Sequence, residues 1–537
     1  MRLDKNHIYI TTKHSLKCLG GIWSAKLTAW RFPKSTEALQ SIQEAFPDIA
    51  NTEAFQQIKN TLEAQRNALK AIKQATPTSP TTDTRLRIYQ QQDVNYLKSI
   101  PHAGLFNEPR TGKTPTMICT LKELQTVYNV IICPASLQLN WKKEIEKWHS
   151  EADVFIYAGT PKKRSRQIND FKNAKRTAYL IVSKDTAKTN VYSFLELRID
   201  ALVIDEAHFL RNSETKQSEA IRTIGHKAIH RYALTGTPTV KHPVDIFGIL
   251  KFLYPDKFKS YWQFAQRYFT VNKTHFGTEI GSPIPSRAKE LKDFIDAVST
   301  QRLRRDVMQW LPDKERHTHT CHMSTKQEKL YNSMLEDFYA AHGGTEVDTQ
   351  NVLAQLMRLR QLCLDPQLLG FDAPSAKTDA LLESIENNTY GTPVIIMSMF
   401  TSYLKLLEPQ LKKLNKRIGT IYGDMNAKQK QQAAEDFQNG KIDVLLCNII
   451  SAGTGFTLDR GEVIIFTDLP YNPSDMQQAE DRITPTQKEN VHNHFIVSMI
   501  CENTVDEKLL RIIERKDNLT SFINQMKSVD QLKMLMV

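Results

Sequence analysis

Gly104-Leu105-Phe106-Asn107-Glu108-Pro109-Arg110-Thr111-Gly112-Lys113-Thr114 runs from apolar residues through a short polar loop into Gly-Lys-Thr and then a helical pattern. A strand, a tight loop and a helix start in that order aim backbone N–H groups and the helix dipole at phosphates. In that geometry Lys113 reaches the outer phosphates and the Thr114 hydroxyl ligates Mg2+, with Asn107, Glu108, Pro109, Arg110, Thr111 and Gly112 forming the cradle. Alone, Gly-Lys-Thr is equally at home in an ordinary loop. Further along, Val203-Ile204-Asp205-Glu206-Ala207-His208 repeats the logic, with apolar strand residues leading straight into two carboxylates. Ligands of α/β sheets bind at that end of a strand. Asp205 is therefore placed to hold Mg2+, and Glu206 to orient and deprotonate an attacking water. The competing reading is a solvated acidic turn capping a helix.

Working outward, Val130–Cys133, Tyr179–Val182 and Leu202–Ile204 are short Val- and Ile-rich runs separated by amphipathic stretches, the pattern of buried strands in a parallel sheet. A basic, aromatic stretch from about 243 to 390 reads as helical. The alternation restarts at Val394–Met397, Lys416–Ile421, Val444–Leu446 and Val463–Phe466. The expected fold class is α/β, two parallel-sheet lobes with helical insertions, preceded by a small α+β unit. That first unit has strands at His7–Thr12 and Thr28–Phe32, a short helix at His14–Leu19 and a helix ending at Ala45. Residues 52–75 are helical, and TPTSPTTDT (76–84) is the best linker in the chain. The expected division is 1–50 for the first unit, 51–83 for helix and linker and 84–242 for lobe one. Protrusions and the inter-lobe connection take 243–375, lobe two 376–510 and a helical brace 511–537.

Composition narrows the partners. Lysine and arginine total 71 against 59 acidic residues in 537, a net charge of +12, which suits a polyanion. The seven cysteines fall at scattered spacings that spell neither a disulfide framework nor a zinc cluster, so a reducing interior is expected. No apolar run reaches the roughly 18–20 residues of a membrane span. MRLDKNHIYI lacks a signal peptide's apolar core. A soluble intracellular monomer is the expectation.

A further segment, Gln478-Ala479-Glu480-Asp481-Arg482, offers an arginine that could cross a cleft to a transferring phosphoryl group. By itself it would be a salt-bridged helix. Taken with the others, it resembles the Swi/Snf-type ATPases of helicase superfamily two. Leu86-Arg87-Ile88-Tyr89-Gln90 is similar to the family's adenine-reading segment, with Gln90 as the implied base contact. Pro134-Ala135-Ser136-Leu137 and Asn140-Trp141 match motif Ia, Leu234-Thr235-Gly236-Thr237-Pro238 motif III, and Ser451-Ala452-Gly453-Thr454-Gly455-Phe456-Thr457-Leu458 motif V. The resemblance implies that the two lobes are RecA-like, and it implies ATP and Mg2+ as cofactors, with Gly455, Gln478 and Arg482 completing the nucleotide site. It implies DNA contacts from Ser136, Asn140, Trp141, Thr235, Gly236, Thr237, Ser451, Ala452 and Gly453. Leu303-Arg304-Arg305 and Leu359-Arg360-Gln361-Leu362-Cys363 match the connection between lobes. Pro485 departs from the pattern, because the family usually carries a second arginine there, and Arg110 stands where related motors often have glycine.

Leu16 to Phe32, with Trp23, Trp30 and Arg31, resembles the HARP domain of annealing helicases, which implies recognition of branched or forked DNA. Aromatic faces beside cations stack on splayed bases or grip phosphates; core residues of a small unit look the same in sequence. Tyr254–Tyr268 has the same two readings, DNA contact or core. The function implied is an ATP-dependent translocase remodelling branched DNA. Displacement of proteins from duplex, or a non-catalytic ATP-bound scaffold, are the alternatives.

Overall fold

The computed structural model describes residues 2–3, 7–11, 22–24, 27–33, 36–74, 83–239, 242–274, 277–311, 314–342, 349–387, 392–452, 456–485 and 493–515. Two all-parallel sheets dominate. The first has seven strands in the order Ser299–Thr300, His102–Leu105, Ala228–Leu234, Ile199–Ile204, Tyr128–Cys133, Ala178–Ser183, Asp153–Tyr157. Its central strands are buried throughout, so both faces need apolar residues and the sequence shows continuous Val/Ile runs rather than alternation. Parallel strands all leave the sheet at one edge. The turns after Leu105, Cys133, Ile204 and Leu234 are therefore neighbours although far apart in sequence.

The second sheet runs Lys314–Cys321, His494–Cys501, Val463–Phe466, Val394–Ser398, Val444–Asn448, Ile418–Ile421, again wholly parallel. The expected α/β class with two lobes holds. The stretch expected to be helical from 243 to 390 is not wholly so. Ser299–Thr300 joins the first sheet, Lys314–Cys321 edges the second, and Phe269–Thr274 pairs with Gly277–Pro283 as an antiparallel hairpin. The first lobe thus recruits a strand from beyond residue 242, and the second begins its sheet before residue 376.

Within Tyr254–Tyr268 the core reading applies to Phe258, Phe264, Ala265 and Tyr268, which are buried, while Trp262 is exposed. The second lobe's core contains a buried ion pair, Lys377 Nζ to Asp506 Oδ2 at 2.6 Å. Asp506 also lies within 4.8 Å of the Cys363 and Cys501 sulfurs, but the Lys377 ammonium already occupies its carboxylate. The helix Val505–Glu514 buries Val505, Leu509 and Ile512 in the second lobe's own core; the rest of the expected brace lies outside the described residues.

The first unit is a four-stranded antiparallel sheet, Arg2–Leu3, His7–Ile10, Ala29–Pro33, Ile22–Ser24, carrying a helix over Thr36–Ala45. Ile8, Ile10, Phe32, Leu39, Ile42 and Phe55 form its core. The helix Glu53–Gln74 then leads back to the helix Ile88–Ser99 of lobe one. Arg287 and Glu44, 3.0 Å apart, tie this unit to the protrusion. The short helix expected at His14–Leu19 and most of the linker lie outside the described residues. No helix among those described is long and apolar enough to cross a membrane.

Candidate active site

The loop from Asn107 to Gly112 joins the strand His102–Leu105 to the helix Lys113–Glu123. Gly112 is required twice over. Its φ is +82°, and a Cβ there would sit 2.1 Å from Gln90 Nε2. Gln90 accepts from Arg87 N at 2.8 Å and donates to Thr111 O at 3.0 Å, while the Tyr89 hydroxyl donates to the same carbonyl at 2.9 Å. The segment expected to read a base therefore also braces the loop from behind.

Asn107, where a glycine is usual, has a structural reason. Its Nδ2 donates to Asp93 Oδ2 at 2.7 Å. Asp93 is fully buried and also accepts from Thr300 Oγ1 (2.7 Å) and Arg302 Nε (3.0 Å), so one carboxylate joins the loop to the chain leaving lobe one. Glu108 continues that junction, accepting from Arg304 N at 2.6 Å. Pro109 lies against motif III, where a Cβ on Gly236 would meet its Cδ at 2.7 Å. Thr111 Oγ1 donates to Glu108 O at 2.7 Å. Lys113 Nζ donates to Asn107 O at 2.8 Å and Glu108 O at 3.3 Å, with Thr114 beside it in the first helical turn. Burial lowers the Lys113 pKa against the opposing pull of Glu206 and Asp205.

Asp205 and Glu206 follow the strand Ile199–Ile204 as expected. Asp205 Oδ2 accepts from the indole Nε1 of Trp141 at 2.8 Å, and both side chains are buried. Trp141 was expected on the DNA surface. It is fully buried, one turn before Ile145 on a core-facing stripe, so it holds the Asp205 carboxylate instead. Burial and then the Glu206 charge raise the Asp205 pKa, opposed by the Trp141 N–H. Glu206 has a left-handed backbone, φ +52°. Burial would raise its pKa too, but the His208 hydrogen bond and the charges of Lys113 and Arg482 outweigh it and the pKa falls. His208 Nδ1 lies 3.2 Å from Glu206 Oε2 and 3.5 Å from Thr235 Oγ1, linking the strand-end acids to motif III.

From lobe two, Arg482 follows the helix Pro473–Glu480, with Gln478 half-buried one turn earlier. Burial lowers its pKa against the opposing pull of Glu206 and Asp481, and its backbone carbonyl accepts from Arg110 Nη2 of lobe one. Neighbouring acids anchor this segment: Asp481 to Arg304 at 2.6 Å and to Lys314 at 3.1 Å, Glu480 to Arg316 Nη2 at 2.8 Å. The local sequence offered no signal for Asp93, for the Arg304 contacts or for Arg110 reaching lobe two. Each depends on chain brought from far away.

Of the remaining residues, Ser136 and Asn140 are partly exposed at the start of the helical segment after Cys133. Thr235 was expected on DNA but is fully buried, its hydroxyl accepting from Thr237 N at 3.1 Å. Thr237 and Ser451 are partly exposed. Trp23 is register partner of Trp30 across two strands, and Trp30 packs on the small unit's core; the Trp23 and Arg31 side chains lie outside the described residues. So do Gly453, Gly455 and the Ala452 side chain.

The donor set fits a magnesium-bound polyphosphate. A helix start with a half-buried ammonium and a hydroxyl shares the strand-end edge of one sheet with a buried carboxylate held by an indole N–H, and the glycine in the loop leaves little room for a side chain. Lys113 and the loop amides would hold the phosphates, and Thr114 and Asp205 the cation.

The SNF2-related domain profile matches residues 89–368, just over half of the chain, and the helicase conserved C-terminal domain profile matches residues 376–484. YwqA of Bacillus subtilis, a candidate ATP-dependent helicase/translocase, is 26% identical over 514 residues, covering 89% of this chain and 54% of that protein. The ISWI chromatin-remodeling complex ATPase ISW1 of Saccharomyces cerevisiae is 27% identical over 473 residues, 82% of this chain and 41% of that one. The chain thus spans about half the length of the curated relatives it matches. A solved structure, the Sulfolobus solfataricus SWI2/SNF2 ATPase core in complex with dsDNA, aligns at TM-score 0.40 and 23% identity over 85% of this chain and 98% of that one. With one profile matching more than half of its length and the other most of its second lobe, the chain belongs to the SNF2-related family.

Proposed function

We propose that this protein is an ATP-dependent DNA translocase whose target is branched or forked DNA. The observation that carries the reading is one cleft supplied from both lobes. Lys113, Asp205 and Glu206 come from the first, and Arg482 comes from the second, where Arg110 of the phosphate loop bonds the carbonyls of Asp481 and Arg482. Glu206 accepts a proton from the attacking water and Arg482 stabilises charge on the phosphoryl group, so turnover requires the cleft to be closed. Magnesium supplies charge neutralisation when bound with the nucleotide. Opening and closing the cleft moves one lobe relative to the other along a strand. The names of the relatives, an ATP-dependent helicase/translocase and a chromatin-remodelling ATPase, support a motor on DNA, as does the net charge of +12. Fork targeting rests on the small N-terminal unit, where Trp23, Trp30 and Arg31 stand on adjacent strands.

ATP hydrolysis measured at fixed salt without DNA, and with single strand, duplex and a model fork, tests this. Glu206→Gln is expected to abolish turnover. A Trp23→Ala, Arg31→Ala double variant is expected to lose the preference for the fork while keeping stimulation by duplex. Equal stimulation of the wild type by fork and duplex would remove the fork assignment, and no stimulation by any DNA would remove the motor.

A further inference from the structure

Arg110 sits in the phosphate loop of lobe one, yet its side chain belongs to lobe two. Its Nε donates to Asp481 O at 2.8 Å, its Nη1 to Thr457 Oγ1 at 2.9 Å, and its Nη2 to the carbonyl of Arg482 itself. The backbone at Arg110 is left-handed, φ +70°, a conformation that glycine adopts freely and a residue with a Cβ resists. Strain of this kind persists only where surrounding contacts over-determine it, and it gathers at functional sites. Here the contacts are three hydrogen bonds from one planar, permanently charged fork. They are also made against charge repulsion, because the two guanidiniums stand close enough for Arg482 to lower the Arg110 pKa, after burial the larger cause. Arg110 keeps its bonds to the two carbonyls despite that repulsion.

The second lobe supplies the context. The residue three positions after Arg482 is Pro485, which has no side-chain charge and no backbone N–H, so it offers the cleft neither a cation nor a donor. Asp481 is meanwhile held by Arg304 and Lys314 from the inter-lobe segment. The main chain at 481–482 is thus gripped on its carboxylate side by Arg304 and on its carbonyl side by Arg110.

We propose that Arg110 is a positioning residue for the cleft's catalytic arginine: rooted in the phosphate loop, it holds the 481–482 main chain so that closing the lobes delivers Arg482 to the phosphoryl group. This rests on the reading of the cleft as an ATPase site. It adds that the phosphate loop and the arginine of the opposite lobe are one mechanical unit, bonded through Arg110.

A double-mutant cycle on ATP turnover tests the proposal, using Arg110→Gly, Arg482→Ala and the combination in the full chain. If Arg110 acts through Arg482, Arg110→Gly lowers kcat about tenfold to a hundredfold, as displacement of a catalytic group does. Arg482→Ala costs about 10³-fold or more. Adding Arg110→Gly to Arg482→Ala then changes kcat no further. The dissociation constant of a fluorescent ADP analogue changes far less than kcat, because Lys113 and every amide of the loop remain. Since glycine suits the left-handed backbone, the thermal midpoint of Arg110→Gly is expected to hold. Arg110→Lys keeps the charge but not the fork and is expected to recover only part of kcat.

Equal losses from Arg110→Gly in both backgrounds would overturn the proposal, since Arg110 would then act independently of Arg482. So would weakened ADP binding with kcat preserved, or a fallen midpoint with every activity lost in parallel. DNA-stimulated turnover of the wild type decides the motor reading separately. A failed cycle in an active enzyme therefore overturns the positioning role alone.

Discussion

Replacing Trp141 by phenylalanine separates two roles that the sequence left confounded. The indole Nε1 donates to Asp205 Oδ2 at 2.8 Å, with both groups buried. A hydrogen bond to a charged acceptor contributes about 1.5–3 kcal/mol. Phenylalanine also leaves a void of roughly 40 Å³, costing about 1 kcal/mol more. The sum, about 3 kcal/mol, corresponds to a fall of roughly 6–12 °C in the unfolding midpoint of a lobe this size. The carboxylate also loses the group that orients it, and loss of such an outer partner weakens metal binding about 10–100-fold. The assay is calorimetry of the wild type and Trp141→Phe, followed by ATP turnover as a function of free Mg2+ at saturating DNA. The expected result is a lower midpoint and a rightward shift in the Mg2+ requirement, with DNA affinity at fixed salt unchanged. A variant with intact midpoint and Mg2+ response but several-fold weaker DNA binding would refute the reasoning and return Trp141 to the DNA surface.

Lys377→Met strands the Asp506 carboxylate in the second lobe's core and is expected to cost about 3–5 kcal/mol. Calorimetry should record the lower transition, and the double change Lys377→Met, Asp506→Leu should recover most of it. Gly236→Ala drives a methyl to 2.7 Å from Pro109 Cδ and 3.3 Å from its nitrogen. Overpacking of about 1–3 kcal/mol should displace the phosphate loop and weaken binding of a fluorescent nucleotide by titration. His102 is held to about 4 by burial and by the Arg231 charge, below an ordinary value of about 6.5. The unfolded chain then binds the extra proton first, so stability present above pH 6.5 is lost as pH falls towards 4. Denaturation midpoints at pH 7.5 and 5 should draw closer in His102→Asn.

The elements that the sequence made legible are those whose residues carry their own period. Val203-Ile204 followed at once by Asp205-Glu206 announces a strand and the chemistry at its end, because a buried parallel strand needs β-branched residues and its carboxyl end needs none. Ser299–Thr300 has only two residues, too few for any pattern, and becomes a strand through pairing with the chain at Gly104–Leu105. Trp141 misled because an aromatic beside asparagine looks alike whether it stacks on a base or fills a core. The usable signal was its spacing to Ile145 and Trp148, positions i, i+4 and i+7 of one buried stripe. Asp93 and Arg110 were beyond local reading. Their partners are Thr300 and Arg302 in one case and Asp481 and Arg482 in the other, and only the tertiary fold brings those together.

The chain leaves lobe one through Ser299–Thr300 and passes the phosphate loop, where Glu108 N donates to Arg302 O at 3.0 Å and Glu108 accepts from Arg304 N, before entering lobe two at Lys314. The connection between the lobes is thereby pinned to the loop that would hold the phosphates. Displacement in a rigid rotation grows with distance from its axis. Under the proposed ATPase cycle, a small angular change at this connection on gain or loss of one phosphate would become a larger travel at the far rim of each lobe. In that cycle the cleft would be the short arm of a lever whose long arm is the body of the sheet, and the two close-packed parallel sheets would carry the travel without bending.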